Sequence, residues 1–392
     1  MAKEMIADRI KLLGTERAFE VYSKAKALEA KGKDIIYLSM GEPDFNTPEN
    51  ILEAGIKALK EGKTHYTSIE GLPEFRQAIA DHCRKYKNID ADADEVVVVP
   101  GGKPTMTNAI LSLVNPGDEV IYPNPGYPIY ESMVRAAGAK PIPLPMTEEN
   151  NFSFDVKKLE SLITPKTKMI IINNPANPTG GVSPYEDIKA LADLAMKNDI
   201  YVLSDEIYDR LYYGDVKPVS VGSIPGMKDR TVTLDGFSKA YAMTGWRLGY
   251  GVMNKKIAAS CNLLIANSTS CTATFTQLAG LEALTGPQDA VESMRAEFKR
   301  RKEYLIDALN DIPGVTCKMP DGAFYAFPNV KSFGKTSLEI ENHLLNDGGV
   351  ACLSGTSFGA YGEGHLRLSY ANSMENLEKA VKRMKESLAR LA

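Results

Sequence analysis

The chain has 392 residues, 44% of them hydrophobic, with 46 Lys and Arg against 50 Asp and Glu. That length suits two domains better than one core. A net charge of -4 without a dense basic cluster argues against a nucleic-acid partner. No run of about 18 apolar residues is available to span a bilayer, so no membrane partner is expected. Met1 to Ile6 runs into charge without the apolar core of a secretory signal, which predicts a cytoplasmic protein. Five scattered cysteines lack Cys-x-x-Cys spacing, and His65, His82, His343 and His365 lack metal-ligand spacing, so neither a disulfide framework nor a metal site is expected.

Taken in chain order, Thr47 is placed to cap a helix with Pro48 at its first position. Ile51, Ala54, Ala58 and Leu59 form one face of that helix and Gly62 lies beyond its end. Residues 95–99 read as a fully buried strand, followed by Pro100-Gly101-Gly102-Lys103 at a helix start. Residues 119–122, 168–172, 201–204 and 231–234 repeat the buried-strand signature. Between two of them, Ser183-Pro184-Tyr185-Glu186 predicts a capping box, with Ile188, Leu191 and Leu194 turned inward. Near-continuous apolar strands alternating with helices imply an α/β fold with a mainly parallel sheet covered on both faces. The last hundred residues read as α+β: a charged helix over about 295–310, a strand over 323–327, alternating residues around Arg367, and a helix from Ser373. The predicted division is a large domain over 48–290 and a smaller one from 1–47 plus 291–392, with a ligand cleft between them.

The chemistry concentrates where strands end. Gly236-Phe237-Ser238-Lys239-Ala240-Tyr241-Ala242-Met243-Thr244-Gly245-Trp246-Arg247 follows a strand and presents one amine among small residues, with a guanidinium shortly after. An amine for an aldehyde beside a grip for an anion outlines a pyridoxal phosphate site. Asp205 ends a buried strand, where an unpaired charge is costly and a pyridinium partner relieves it; the competing reading is a helix cap. Tyr208 and Asn177, in Asn177-Pro178-Thr179-Gly180, can donate to a ring oxygen. Backbone amides at Gly101-Gly102-Lys103 suit phosphate, and Tyr127 at a loop tip suits stacking, although loop tyrosines are common. Arg367 can hold a carboxylate through two parallel hydrogen bonds, or be a surface residue on an edge strand. Rival phosphate signatures fail: there is no Gly-x-Gly-x-x-Gly, and Gly62-Lys63-Thr64 and Gly334-Lys335-Thr336 lack the earlier glycine of a P-loop.

Together, Gly41-Glu42-Pro43-Asp44-Phe45, Pro100-Gly101-Gly102-Lys103, Asn177-Pro178-Thr179-Gly180, Ser204-Asp205-Glu206-Ile207-Tyr208, the lysine run and Arg367-Leu368-Ser369-Tyr370 resemble the class I/II aminotransferases of fold type I, similar to the aspartate aminotransferases. The resemblance runs from about Leu38 to the carboxyl terminus. It implies a seven-stranded large domain, pyridoxal 5'-phosphate as cofactor, and Lys239 as the residue that carries the cofactor and shuttles a proton. It further implies Asp205 on the pyridine nitrogen, Asn177 and Tyr208 on the ring oxygen, and Tyr127 on the ring face. Gly102, Lys103, Ser238 and Arg247 would contact the phosphate, and Asn177, Arg367 and the backbone near Gly41 the substrate carboxylate. Tyr66 looks like the residue that reaches a neighbouring subunit's phosphate, implying a homodimer with shared sites. Some relatives have serine where Gly236 stands, which removes one phosphate hydroxyl.

The implied activity is ping-pong transfer of an amino group from an L-amino acid to a 2-oxo acid, with glutamate and 2-oxoglutarate as one pair and aspartate, or an aromatic or broad donor, in the other. Lys103 resembles a residue that assists side-chain carboxylate recognition in some relatives, which implies an acidic donor; Ala18 and Glu20 stand where those relatives carry Ser and Thr, and Glu20 would repel a second carboxylate if it faced the site. A pyridoxal-dependent lyase, cyclase or amino acid oxidase would share the same cofactor residues.

Overall fold

The computed structural model describes residues 6–14 and 17–391; the reading of the amino terminus rests mainly on residues outside these. The strands in chain order are β1 (Ile36–Tyr37), β2 (Val96–Val99), β3 (Glu119–Asn124), β4 (Lys140–Pro145), β5 (Thr167–Asn173), β6 (Tyr201–Asp205), β7 (Thr231–Gly236), β8 (Gly249–Val252), β9 (Tyr325–Ala326), β10 (Val350–Ala351), β11 (Leu353–Ser354) and β12 (Leu366–Ser369). Seven form one sheet in the order β2-β8-β7-β6-β5-β3-β4. The β4-β3-β5-β6-β7 pairings are parallel, and β8 runs antiparallel to both of its neighbours. Val96–Val99 and Met169–Ile172 are buried along their whole length, because helices cover both sheet faces. This is the α/β fold expected from the apolar runs.

The remaining strands are short. β1 pairs parallel with β10, and β11, β12 and β9 form an antiparallel trio. Their core joins Ile36 and Leu38 to Leu305, Phe324, Leu368 and the apolar stripe of the last helix, Leu377, Ala380, Val381, Met384 and Leu388. That helix is capped as expected, Ser373 Oγ accepting from the Asn376 amide at 3.2 Å.

Two expected caps are absent because their side chains are used elsewhere. The helix Glu49–Lys60 starts after Pro48 without a side-chain cap. Thr47 instead donates to the Ala242 carbonyl at 2.8 Å and accepts from Trp246 Nε1 at 2.9 Å, joining this helix to the lysine run. Pro184 stands at the N-cap of the helix Tyr185–Lys197, and Ser183 Oγ accepts from Ser153 Oγ at 3.2 Å. Leu59 is 47% exposed, the buried face being Ile51, Gly55 and Ala58. The charged helix begins earlier than expected, at Asp289, and the strand expected over 323–327 is confined to Tyr325–Ala326.

Candidate active site

A cavity of about 470 Å³ lies at the carboxyl ends of the parallel strands, and every predicted site residue except Tyr66 lines it. The strands account for the convergence, since ligands of open α/β sheets gather beyond strand carboxyl ends. Lys103 follows β2, Tyr127 follows β3, Asn177 follows β5, Asp205 ends β6, and Ser238 and Lys239 follow β7. Gly41 after β1 and Arg367 on β12 close the opposite wall.

Lys239 Nζ donates to the Gly41 carbonyl and lies 5.7 Å from the centre of the Phe324 ring. Asp205 is 8% exposed. Its Oδ2 accepts from the Tyr130 hydroxyl at 2.6 Å and its Oδ1 from the Ile207 amide at 3.2 Å. Burial nevertheless raises its pKa to about 6, the two hydrogen bonds opposing that rise and the neighbouring Glu206 adding to it. The amide side chain of Asn173 ties this strand end to the next loop, donating to the Asp205 carbonyl at 3.0 Å while its oxygen accepts from the Asn177 amide at 2.7 Å.

At the other end of the cavity, the helix Lys103–Leu113 follows Gly102 without a side-chain cap, and Gly102 and Lys103 both line the site. Arg247 lies against this loop, Nη1 donating to the Thr244 carbonyl at 2.8 Å. Gly101 permits that approach, since at φ +84° a Cβ would stand 2.0 Å from Arg247 Nη2. Gly236 is also closely packed, with Gly249 Cα and the Leu248 carbonyl each 3.1 Å from where a Cβ would be. Lys103 Nζ sits 5.7 Å from the centre of the Tyr127 ring.

Arg367 is 4% exposed, its guanidinium 4.5 Å from the Tyr325 ring centre and 4.8 Å from that of Phe358. It donates to Asn177 Oδ1 at 3.2 Å and to the Ser39 carbonyl. It is therefore a buried cavity residue on the inner face of β12. Tyr325 also pairs hydroxyl to hydroxyl with Tyr208 at 2.8 Å. A Cβ at Gly41 would fall 2.3 Å from that same Tyr325 hydroxyl.

Three features were not anticipated from the sequence. Tyr130 binds Asp205 and Tyr325 binds Tyr208, each through side chains brought together only by the fold. Glu20 is exposed beside Arg17 at 3.6 Å and does not line the cavity, so the repulsion that would follow from its facing the site does not arise; Ala18 does line it, and so does Phe19. Tyr66 lies apart, 88% exposed, in a depression shared with Thr64, His65 and Cys271.

The geometry joins a lysine amine, a buried acid, an uncapped helix start with its arginine, and a second arginine suited to carboxylate. The profile of aminotransferase class I and II matches residues 33–384. The chain is 40% identical over 386 residues to an aspartate aminotransferase of Pyrococcus abyssi (strain GE5 / Orsay), covering 98% of each. Its fold matches the aspartate aminotransferase of Thermus thermophilus with maleate at a TM-score of 0.94 and 37% identity, over 100% of both chains. It also matches the aromatic aminotransferase of Pyrococcus horikoshii OT3 at 0.90 and 38% identity, over 94% of this chain and 100% of that one. With the family profile spanning nearly the whole chain and the strand-end residues gathered in one cavity, the protein belongs to the class I and II aminotransferases.

Proposed function

We propose that the cavity binds pyridoxal 5'-phosphate and that Lys239, Asp205 and Tyr208 serve it chemically. The observation that carries this reading is the shared cavity of the Lys239 amine and the buried Asp205 carboxyl, an acid raised to about 6 whose charged form a pyridinium would favour. The cradle fits as well: the Gly102 and Lys103 amides, Ser238 and Arg247 suit the phosphate, Tyr127 the ring face, and Asn177 with Tyr208 the ring oxygen. When bound, the cofactor withdraws electrons from the substrate's α-carbon. Lys239 Nζ holds the cofactor at rest, then takes the α-proton and returns it. Arg367 and Asn177, with the backbone at Gly41, orient the substrate carboxylate. Donor and acceptor use the same cavity in turn, giving ping-pong kinetics.

Glutamate and 2-oxoglutarate form one substrate pair. The other takes aspartate or an aromatic donor: Lys103 supplies a cation at the wall, Glu20 is turned away, and Phe19 offers an apolar contact. On this reading residues 48–290 form the large, cofactor-binding domain and 1–47 with 291–392 the smaller one. Tyr66, exposed on one protomer, reaches the phosphate of a second copy in a homodimer. No helix among the described residues is long and apolar enough to cross a membrane, and five free cysteines fit a reducing, cytoplasmic setting.

The test is a donor and acceptor screen on purified protein. It should show a visible chromophore that borohydride removes, and amino transfer to 2-oxoglutarate without ammonia release. Ammonia formed without a 2-oxo acceptor would point to a lyase or oxidase and overturn the transfer assignment.

A further inference from the structure

Behind the same strand ends lies a buried ionic cluster that the proposed reaction does not use. The helix Pro73–His82 continues through a wider turn, Cys83–Lys87, which delivers Lys87. Its ammonium is 3.0 Å from Glu206 Oε2 and 3.0 Å from Asp235 Oδ2, and it also binds Asp209. Lys87, Glu206 and Asp235 are 5%, 2% and 4% exposed. The carboxylates are further fixed: Ser204 and Ser220 donate to Glu206 Oε1 at 2.8 and 2.6 Å, and the Tyr250 phenol donates to Asp235 Oδ2 at 3.0 Å. His82, Asp209 and Asp235 offer ligand atoms within 4.8 Å of one another. Lys87 already supplies the cation there, so a metal ion has no separate place.

The cluster is in series with the site. Glu206 follows Asp205, Asp209 follows Tyr208, and Asp235 leads through Gly236 and Phe237 to Ser238 and Lys239. Neighbouring strand residues point to opposite faces; Asp205 lines the site, whereas Glu206, Asp209 and Lys87 line a second, polar cavity of about 160 Å³. We infer that Lys87 is a positioning residue, tying Glu206, Asp209 and Asp235 behind the sheet so that Asp205 and Tyr208 keep their spacing from Lys239. The inference rests on the roles proposed for those residues.

Physical reasons make Lys87 hard to replace. Removing one partner of a buried ion pair leaves uncompensated charge, and crowded carboxylates do not all stay ionised. Burial works against the Lys87 cation, but Asp209, Asp235 and Glu206 outweigh it and hold its pKa well above the ordinary lysine value. Burial pushes the Asp235 carboxyl up, the nearby Asp209 adds to this, and Lys87 opposes both. The groups around them offer no substitute: burial holds His82 neutral at about 3 and keeps the Cys83 thiol protonated at about 12. Burial likewise keeps the Tyr250 phenol protonated. Arg210 also acts on Asp209 through charge, but its guanidinium is held by Glu292, 3.1 Å away, and by the Tyr86 ring.

The experiment compares cofactor-loaded wild type, Lys87→Met, Lys87→Arg and Lys302→Met, each assayed well below its own melting temperature. Lys302, buried beside the Tyr213 ring, controls for the general effect of losing a buried lysine. A displacement of about 1 Å at reacting groups costs on the order of a hundredfold. Lys87→Met should therefore lower kcat by about tenfold to a hundredfold, with KM for the amino donor changed by less than about threefold. It should also move the pH midpoint of the visible band and weaken pyridoxal phosphate binding to the cofactor-free protein by about tenfold or more. Lys87→Arg should recover most of kcat and the wild-type midpoint, and Lys302→Met should change stability alone. Wild-type kcat, midpoint and cofactor affinity in Lys87→Met would overturn the inference whatever its melting temperature, as would the same changes in Lys302→Met. If Lys87→Met does not fold, Glu206→Gln loosens one tie while keeping shape: a smaller shift in the same direction supports the inference and no shift overturns it. A wild type that takes up no cofactor would instead refute the proposed site, a separately recognisable failure.

Discussion

Lys239 and Lys87 approach the ends of the same two strands from opposite sides of the sheet, and their surroundings differ in kind. Lys87 sits among three carboxylates that hold its proton. Lys239 rests on a backbone carbonyl beside an aromatic ring and opens onto the cavity. An amine that must react needs access and a partner it can leave, while an amine that fixes structure needs charges it cannot leave. The difference lies in which residues the strands turn toward each amine, and the alternation of Asp205 with Glu206 creates it.

This contrast can be broken in several ways. Lys239→Ala should lower 2-oxoglutarate-dependent transfer by about a thousandfold or more and abolish the visible band; full turnover in that variant would mean the reactive amine is elsewhere. Arg367→Ala should raise the amino-donor KM by about tenfold to a hundredfold, as expected for a lost charge-assisted pair, and unchanged affinity for every donor tested would remove Arg367 from the site. Asp205→Asn examines the acid on the open side. Because burial raises the folded-state pKa of Asp205 to about 6 from the usual 3.8, the cofactor-free protein should lose stability as pH rises between those values. The loss stays constant above that window, where the folded and unfolded states have both released the proton. Asp205→Asn should flatten this slope and stabilise the cofactor-free protein at pH 7 by up to about 3 kcal/mol, which urea titrations across the range would read. Tyr130→Phe removes one donor to Asp205 and should shift the acid limb of the kcat profile upward with about a threefold to tenfold loss in rate. Glu20→Gln should change the aspartate KM by less than about twofold; a larger effect would bring Glu20 back into substrate choice.

What could be read in the sequence was what local physics controls. Uniformly apolar runs such as Val96–Val99 specify strands covered on both faces, and residues just beyond them specify where a ligand meets the sheet. Hence the convergence of Lys239, Asp205 and Asn177 on one cavity was legible, whereas Arg367, inside β12, was open between a cavity and a surface place until the fold set its strand. Side chains whose partners lie far along the chain were not legible. Tyr130 meets Asp205 and Tyr325 meets Tyr208 only after folding, and Lys87 is one lysine in a charged stretch until the helix delivers it behind the sheet. Thr47 and Ser183 failed as caps for the same reason: distant residues compete for their hydroxyls.

Gly101 shows how such constraints act on the chain's future. Its backbone φ of +84° strains any residue that carries a side chain, and a Cβ there would also displace the Arg247 guanidinium; every replacement of a glycine adds at least that carbon. The loop therefore has no silent neighbour in sequence space at this position. Descendants of this chain can drift around Gly101, but a change at it must both hold a left-handed backbone and turn the Arg247 guanidinium away from the loop.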